Sequence, residues 1–289
     1  MIRKKRLDGY FFFLPGFLFF SFFLLYPFLI NLYYSFFDYR LSDLSEKRFV
    51  GLTNYRNVIF DDVFWITLKN IAIYGLISVP GQMFFGFIVA YALNQSIRGV
   101  KLFRIAYFLP VITSWVVASL IFKFIFTDQG LFNYVVTDVL HLVNRPISWL
   151  SDPHKGIAVL GLLGIWKGVG WAMVIYLAAL QGVPKDLYEA AELDGCGRWQ
   201  KIWHITLPSI RSTTMFIQIM LIIGAFNVFT SVYLVTGGGP RHQTEVMLTW
   251  MYLKAFQEYD LGYASALSYV FAMIIGLLTW IQFRVNRSE

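Results

Sequence analysis

The sequence predicts an all-helical, polytopic membrane protein with six transmembrane helices, and three observations carry that prediction. Of its 289 residues 57% are hydrophobic, 19% aromatic and only 14% charged, where a soluble domain carries about 25% charged residues. Long stretches hold no Asp, Glu, Lys or Arg at all. Those stretches do not alternate apolar with polar residues, as the strands of a barrel would. In hydrocarbon every backbone N–H and C=O must be paired within its own segment or in a closed barrel, which leaves the helix. A mean hydropathy of +0.59 and 29 Phe argue against disorder. One Cys excludes a disulfide framework or a cysteine-based metal cluster.

About 20 mostly apolar residues cross the hydrocarbon core as a helix. Charge-free stretches of sufficient length lie at 9–37, 70–97, 105–122, 212–240 and 261–283, and a sixth at 157–180 is interrupted by Lys167 alone. The six spans are expected at 10–37, 70–96, 105–126, 157–180, 210–235 and 261–284, in a single transmembrane domain over residues 1–289. The first follows a basic head, Arg3 to Arg6, but is longer than a 7–15-residue signal-peptide core and has no small-residue cleavage site after it. It reads as a retained helix.

Basic residues then give orientation. Thirteen Lys and Arg fall on the side of the two termini (Arg3, Lys4, Lys5, Arg6, Arg98, Lys101, Arg104, Lys185, Arg198, Lys201, Arg211, Arg284, Arg287), against nine on the other. The first set crowds into short segments beside helix ends, where the positive-inside rule operates, so both termini are expected in the cytoplasm. The outer loops, 38–69, 127–156 and 241–260, are too short for a catalytic domain. The longest inner loop, 181–211, holds the most pattern.

In that loop Asp186 precedes Glu189 by three residues, a spacing that resembles a capping box. Pro184 limits extension backward and Gly195 permits a left-handed exit, so a short helix is expected over 186–195. Leu187, Ala190, Ala191 and Asp194 fall near one face at the three-to-four spacing, and the paired alanines would allow close approach by a partner. A helix lying against the bundle would satisfy the same pattern.

The longer spacing is more specific. Glu189-Ala190-Ala191, three residues, Gly195, nine residues, Ile205, one residue, Leu207-Pro208 resembles the EAA signature of ABC importer permeases at every fixed position, with Cys196 where the family more often has Ala. Phe49-Val50-Gly51-Leu52-Thr53-Asn54-Tyr55, Thr236-Gly237-Gly238-Gly239-Pro240, and Phe256 with Gly262 to Leu267 resemble the carbohydrate-importer group, the maltose or glycerol-phosphate permease-like members. The resemblance implies the ABC importer permease fold in a bacterial plasma (inner) membrane, with the EAA helix seated as a coupling helix on a separate ATPase. It implies Glu189 and Asp194 as charged contacts, Ala190 and Ala191 as a packing surface, Gly195 as the turn, and Ile205, Leu207 and Pro208 as the anchor of the fifth span. It also implies as partners a second permease subunit, two ATPase subunits carrying ATP and Mg, and an extracytoplasmic solute-binding protein.

No GxxxxGK[ST] loop occurs to cradle a phosphate, and His141, His154, His204 and His242 are scattered without metal-ligand spacing. No cofactor, metal or catalytic residue is therefore expected on this chain, and it is not expected to be an enzyme. Charged and polar groups inside spans are costly and commonly face a wet cavity. Lys167 lies between Trp166 and Gly168, close to Trp171, and the family's sugar cavity is lined from the matching helix and the next. Lys167, Gly168 and Trp171, then Phe226, Asn227, Thr230 and Tyr233, are the substrate-path candidates, with Gln82 and Gln218 behind them. Two other readings stand beside this one: Lys167 snorkels to the interface, and the fifth-span polar residues make helix–helix hydrogen bonds. Lys167 admits an anionic substrate such as glycerol phosphate as well as a neutral sugar. A secondary transporter or channel gives no reason for the EAA spacing.

Overall fold

The structure is a computed structural model describing residues 2–40, 47–95 and 98–287. Met1, the C-terminal end of the second charge-free stretch at 96–97, and the side chains of Arg3 to Arg6 and Arg287 lie outside the described residues. Among the described residues, four helices are long and apolar enough to cross a membrane: Phe11–Ser35, Asp62–Leu93, Pro153–Gln181 and Leu261–Gln282. Two bent pairs, Val100–Ile112 with Trp115–Ile125 and Arg198–Ser209 with Arg211–Phe226, bring the number of possible spans to six.

The bends correct two expectations. The span expected at 105–126 turns by 94°, because Thr113 is extended (φ −66°, ψ 144°) and the Ser114 hydroxyl accepts from the Val116 N–H to cap a new helix. The span expected at 210–235 is preceded by a 69° elbow and ends at Phe226. There the Asn227 side chain donates to the Ile223 carbonyl at 2.8 Å, competing with the backbone ladder, and a separate short helix, Thr230–Val235, follows.

Contacts within the chain group it into two units. The first comprises 1–64 and 250–274. Its first span runs from Ile2 to Ser35 through a π-helical turn at Ser21–Leu25, and none of its most apolar window is buried within the chain. Polar pairs fasten the end of this span to the start of the sixth. Asn31 Nδ2 donates to Ser268 Oγ at 2.9 Å, Ser265 Oγ donates to Asn31 Oδ1 at 2.6 Å, and the Tyr269 hydroxyl donates to the Phe28 carbonyl. Beyond the first span, Phe37–Asp38 pairs antiparallel with Arg48–Phe49. Gly262 packs so closely on this turn that a Cβ would lie 2.2 Å from the Phe37 carbonyl.

Asp61 holds the first unit together. One carboxylate oxygen accepts from the Val63 N–H at 2.9 Å, and the other accepts from Trp250 Nε1 at 2.9 Å and from the Tyr263 hydroxyl. Trp250 and Tyr263 are both buried.

The second unit, 65–249 with 275–289, is organised around the fourth span, whose apolar window is 61% buried. Asp152 caps that helix through the His154 and Lys155 N–H groups. The Lys155 N–H, foremost, and its ammonium hold the Asp152 carboxyl below the usual carboxylate range. Ala90, Leu93, Ala172, Met173, Tyr176, Leu180 and Ile217 form its inner core. Helices come this close only where side chains are small, and a Cβ on Gly86 would lie 2.7 Å from that of Ala172.

Asp61→Ala removes the carboxylate that accepts from Trp250 Nε1 and the Tyr263 hydroxyl, and losing such an acceptor costs about 1–3 kcal/mol. The variant is expected to unfold at lower temperature in a detergent melt of the purified complex, whereas Asp61→Asn retains an acceptor and loses less. Equal melting of Asp61→Ala and the native chain would contradict this role.

Candidate functional site

The loop after the fourth span forms the expected short helix, Lys185–Leu193. Its start differs from the capping-box expectation. Pro184 is the N-cap, with ψ at 132°, and no side chain caps the helix, so Asp186 sits inside the first turn. There its charge favours the positive end of the helix dipole. The exit is as expected: Gly195 adopts φ +74°, the Cys196 N–H reaches back to the Ala191 carbonyl at 2.9 Å, and the Gly195 N–H to Glu192 at 3.1 Å. Such a reversal suits glycine, which has no Cβ to clash.

The two alanines part company. Ala191 is buried in the chain's own interior beside Tyr188, whose hydroxyl lies 3.0 Å from Thr206 Oγ1. Leu187, Glu189, Ala190, Leu193 and Asp194 are exposed, Leu193 to 90%. The outward face is thus Ala190 with two leucines and two carboxylates, rather than the Ala190–Ala191 pair, because Ala191 packs the helix onto the bundle. The Lys201 ammonium pairs with Glu192 at 2.6 Å and ties the helix to the following segment. Ile205 and Leu207 pack against the core below it, and Pro208 occupies the first turn of Leu207–Ser209, at the elbow into the fifth span.

A cavity of about 290 Å³ opens among the second, third, fourth and fifth spans. The second span contributes Tyr74, Ser78 and Gln82, each four residues apart and so on one helix face. The fourth contributes Gly164, Lys167, Gly168 and Trp171, the third Val111 and Trp115, and the fifth Leu221, Gly224 and Ala225. Ser78 Oγ is buried beside the Tyr74 hydroxyl and makes no well-formed hydrogen bond. The Gln82 amide lies over Gly168, where an added Cβ would fall 1.7 Å from Oε1.

Lys167 is buried, and its ammonium points at the break of the third span. It donates to the carbonyls of Pro110 at 2.8 Å, Val111 at 3.1 Å and Thr113 at 2.7 Å. It also stands 4.9 Å from the centroid of the Trp115 ring. A helix end leaves its last carbonyls without partners, and here they are met by a cation from another helix together with the Thr113 hydroxyl, which donates to Leu109 at 3.0 Å and Pro110 at 2.9 Å. Lys167 therefore neither snorkels nor offers its N–H groups to the cavity.

Of the sequence candidates, Lys167, Gly168, Trp171 and Gln82 are brought together around this cavity. Phe226, Asn227, Thr230 and Tyr233 do not line it: the fifth span stops at Phe226, Asn227 is exposed, and Tyr233 stacks on Phe229 at 5.4 Å. Gln218 lies on a separate groove with Tyr91, Arg198 and Trp199. Sequence reasoning missed Tyr74 and Ser78, although a stripe of polar groups at four-residue spacing inside a charge-free span was there to be read. Trp115 carried no such signal, since its place follows from the break.

Comparison with known proteins agrees with this architecture. The model of the family described as "Binding-protein-dependent transport system inner membrane component" matches residues 82–287. The chain is 34% identical over 295 residues to the probable ABC transporter permease protein YurN of Bacillus subtilis (strain 168), covering all of both chains. It is 32% identical over 291 residues to the lactose transport system permease protein LacF of Rhizobium radiobacter, covering 99% of this chain and 96% of that one. In fold it resembles a chain from the crystal structure of a bacterial ABC transporter involved in import of the acidic polysaccharide alginate, with TM-score 0.85 and 22% identity over 99% of this chain and 96% of that one. The chain thus belongs to the family of inner membrane components of binding-protein-dependent transport systems.

Proposed function

We propose that this permease is the transmembrane subunit of an ATP-driven importer that passes a sugar or oligosaccharide inward by alternating access. The observation that carries the reading is the short helix Lys185–Leu193, fastened to its own bundle by Ala191, Tyr188 and the Glu192–Lys201 pair while Glu189, Ala190 and Asp194 face outward. A rigid element so placed between two spans transmits displacement without bending. Its natural seat is a groove on a separate ATPase subunit, which would carry the ATP and Mg this chain has no phosphate loop to bind. With both termini inside, the helix and the ATPases share the cytoplasmic face, and two ATPases would serve this chain and a second, homologous permease.

The sugar reading rests on the cavity and on the company the chain keeps. Hydroxyls, an amide and two indoles are the groups that read a pyranose, since they combine hydrogen bonding with an apolar stacking face. LacF is named for lactose, and the alginate importer has also been solved with an alginate-bound periplasmic protein, so a soluble binding protein is the expected donor here. An anionic substrate such as glycerol phosphate is the alternative within the same class.

Reconstituted with its partner subunits and binding protein, the complex is expected to accumulate sugar only when ATP is supplied on the ATPase side. Uptake driven by an ion gradient without ATP would refute the proposal. Gly195→Leu forces a branched side chain into φ +74°, at about 1–2 kcal/mol, and should cut uptake about tenfold while ATP hydrolysis ceases to respond to the loaded binding protein. Gly195→Asn, which tolerates the left-handed region, should do less. Gly168→Ala drives a methyl group into the Gln82 amide. At about 1–3 kcal/mol for overpacking, sugar uptake should fall tenfold or more, and Gln82→Ala in the same chain should restore part of it.

A further inference from the structure

The cavity's one lysine makes an anionic substrate the obvious guess, and its geometry argues against that guess. An ammonium has three N–H donors and no acceptor. Three carbonyls, Pro110, Val111 and Thr113, take them at 2.7–3.1 Å. The carbonyls belong to the end of Val100–Ile112 and its cap, where the helix dipole places about half a negative elementary charge. The positive charge of Lys167 is therefore offset by the helix end it closes. A carboxylate or phosphate entering the cavity would have to draw the ammonium away from those carbonyls, of which Pro110's also accepts from the Thr113 hydroxyl at 2.9 Å, and would sit beside a negative helix terminus.

What the wall does leave open is uncharged. Among the described lining residues Lys167 is the sole cationic side chain, and Tyr74, Ser78, Gln82, Trp115 and Trp171 are the polar and stacking groups. The Ser78 hydroxyl is buried with no well-formed bond of its own. Trp115 begins the helix after the break, and its ring faces the ammonium at 4.9 Å, a cation–π contact.

We infer that the cavity selects uncharged sugars over anionic ones, and that Lys167 is a positioning residue that closes the broken third span and holds Trp115 against the substrate. This deepens the importer reading and rests on it. Selection comes from hydroxyl-matching groups at Ser78 and Gln82 and from the two indoles, with no free cation to anchor an acid.

The test is a tryptophan-fluorescence titration of the whole complex in nanodiscs, without binding protein, using lactose and maltotriose as neutral probes and trigalacturonate as the anionic one. The neutral sugars should bind at least about tenfold tighter, a difference of about 1.4 kcal/mol, and the ratio should not change between low and high salt. Lys167→Arg keeps several N–H donors for the same carbonyls and should leave the ratio within about threefold of the native chain. Lys167→Met should weaken neutral and anionic probes together; should that variant fail to assemble, the native ratio and Lys167→Arg decide alone. Tighter binding of trigalacturonate, abolished selectively by Lys167→Met, would overturn the inference and leave ATP-driven import standing. No binding by any probe would overturn the sugar reading of the cavity and this inference with it.

Discussion

The bond between one ammonium and three backbone carbonyls shapes the second unit. A broken helix frees carbonyls that need new partners, and in hydrocarbon each unsatisfied group costs several kcal/mol. Lys167 removes that cost at a single point. The break in turn swings the third span by 94° and brings Trp115 to the cavity. A buried cation without partners would be intolerable and an unclosed helix end nearly so. Together they make a stable joint, and the cavity wall is built on it.

Space around the joint is made by small residues. Gly164 lies so close to the second span that a Cβ would meet the Tyr74 hydroxyl at 2.7 Å, and Gly168 does the same beneath Gln82. Each glycine buys room for a polar group on the facing helix. The fourth span is thus both the buried centre of this unit and the smooth floor over which the second span's polar stripe is laid.

How much of this was legible in the sequence depends on range. Charge-free runs pointed to the four long apolar helices, because the bilayer imposes a length that composition alone can meet. The loop helix was legible down to its glycine exit, but not its orientation: which alanine turns inward is decided by Tyr188 and the core beneath. Proline did not announce the break. Pro80 lies inside a continuous 32-residue helix, whereas Pro110 precedes the 94° turn. What separates them is Lys167, more than fifty residues away in sequence, which donates to the carbonyls freed near Pro110. The position of Lys167 was readable as a site, while its partners were not. The fifth-span candidates lie off this cavity for a related reason: Asn227 ends the helix expected to carry the face onward.

The first span follows a different rule. Its apolar window buries nothing within the chain, so no jigsaw of neighbouring side chains dictates which apolar residue stands at each place. The run of phenylalanines is specified by its solvent, through transfer free energy summed over the segment. Shape enters near the C-terminal end, where Asn31 exchanges hydrogen bonds with Ser265 and Ser268. The span is in that sense a tether with one fixed knot, free along most of its length to exchange one apolar residue for another.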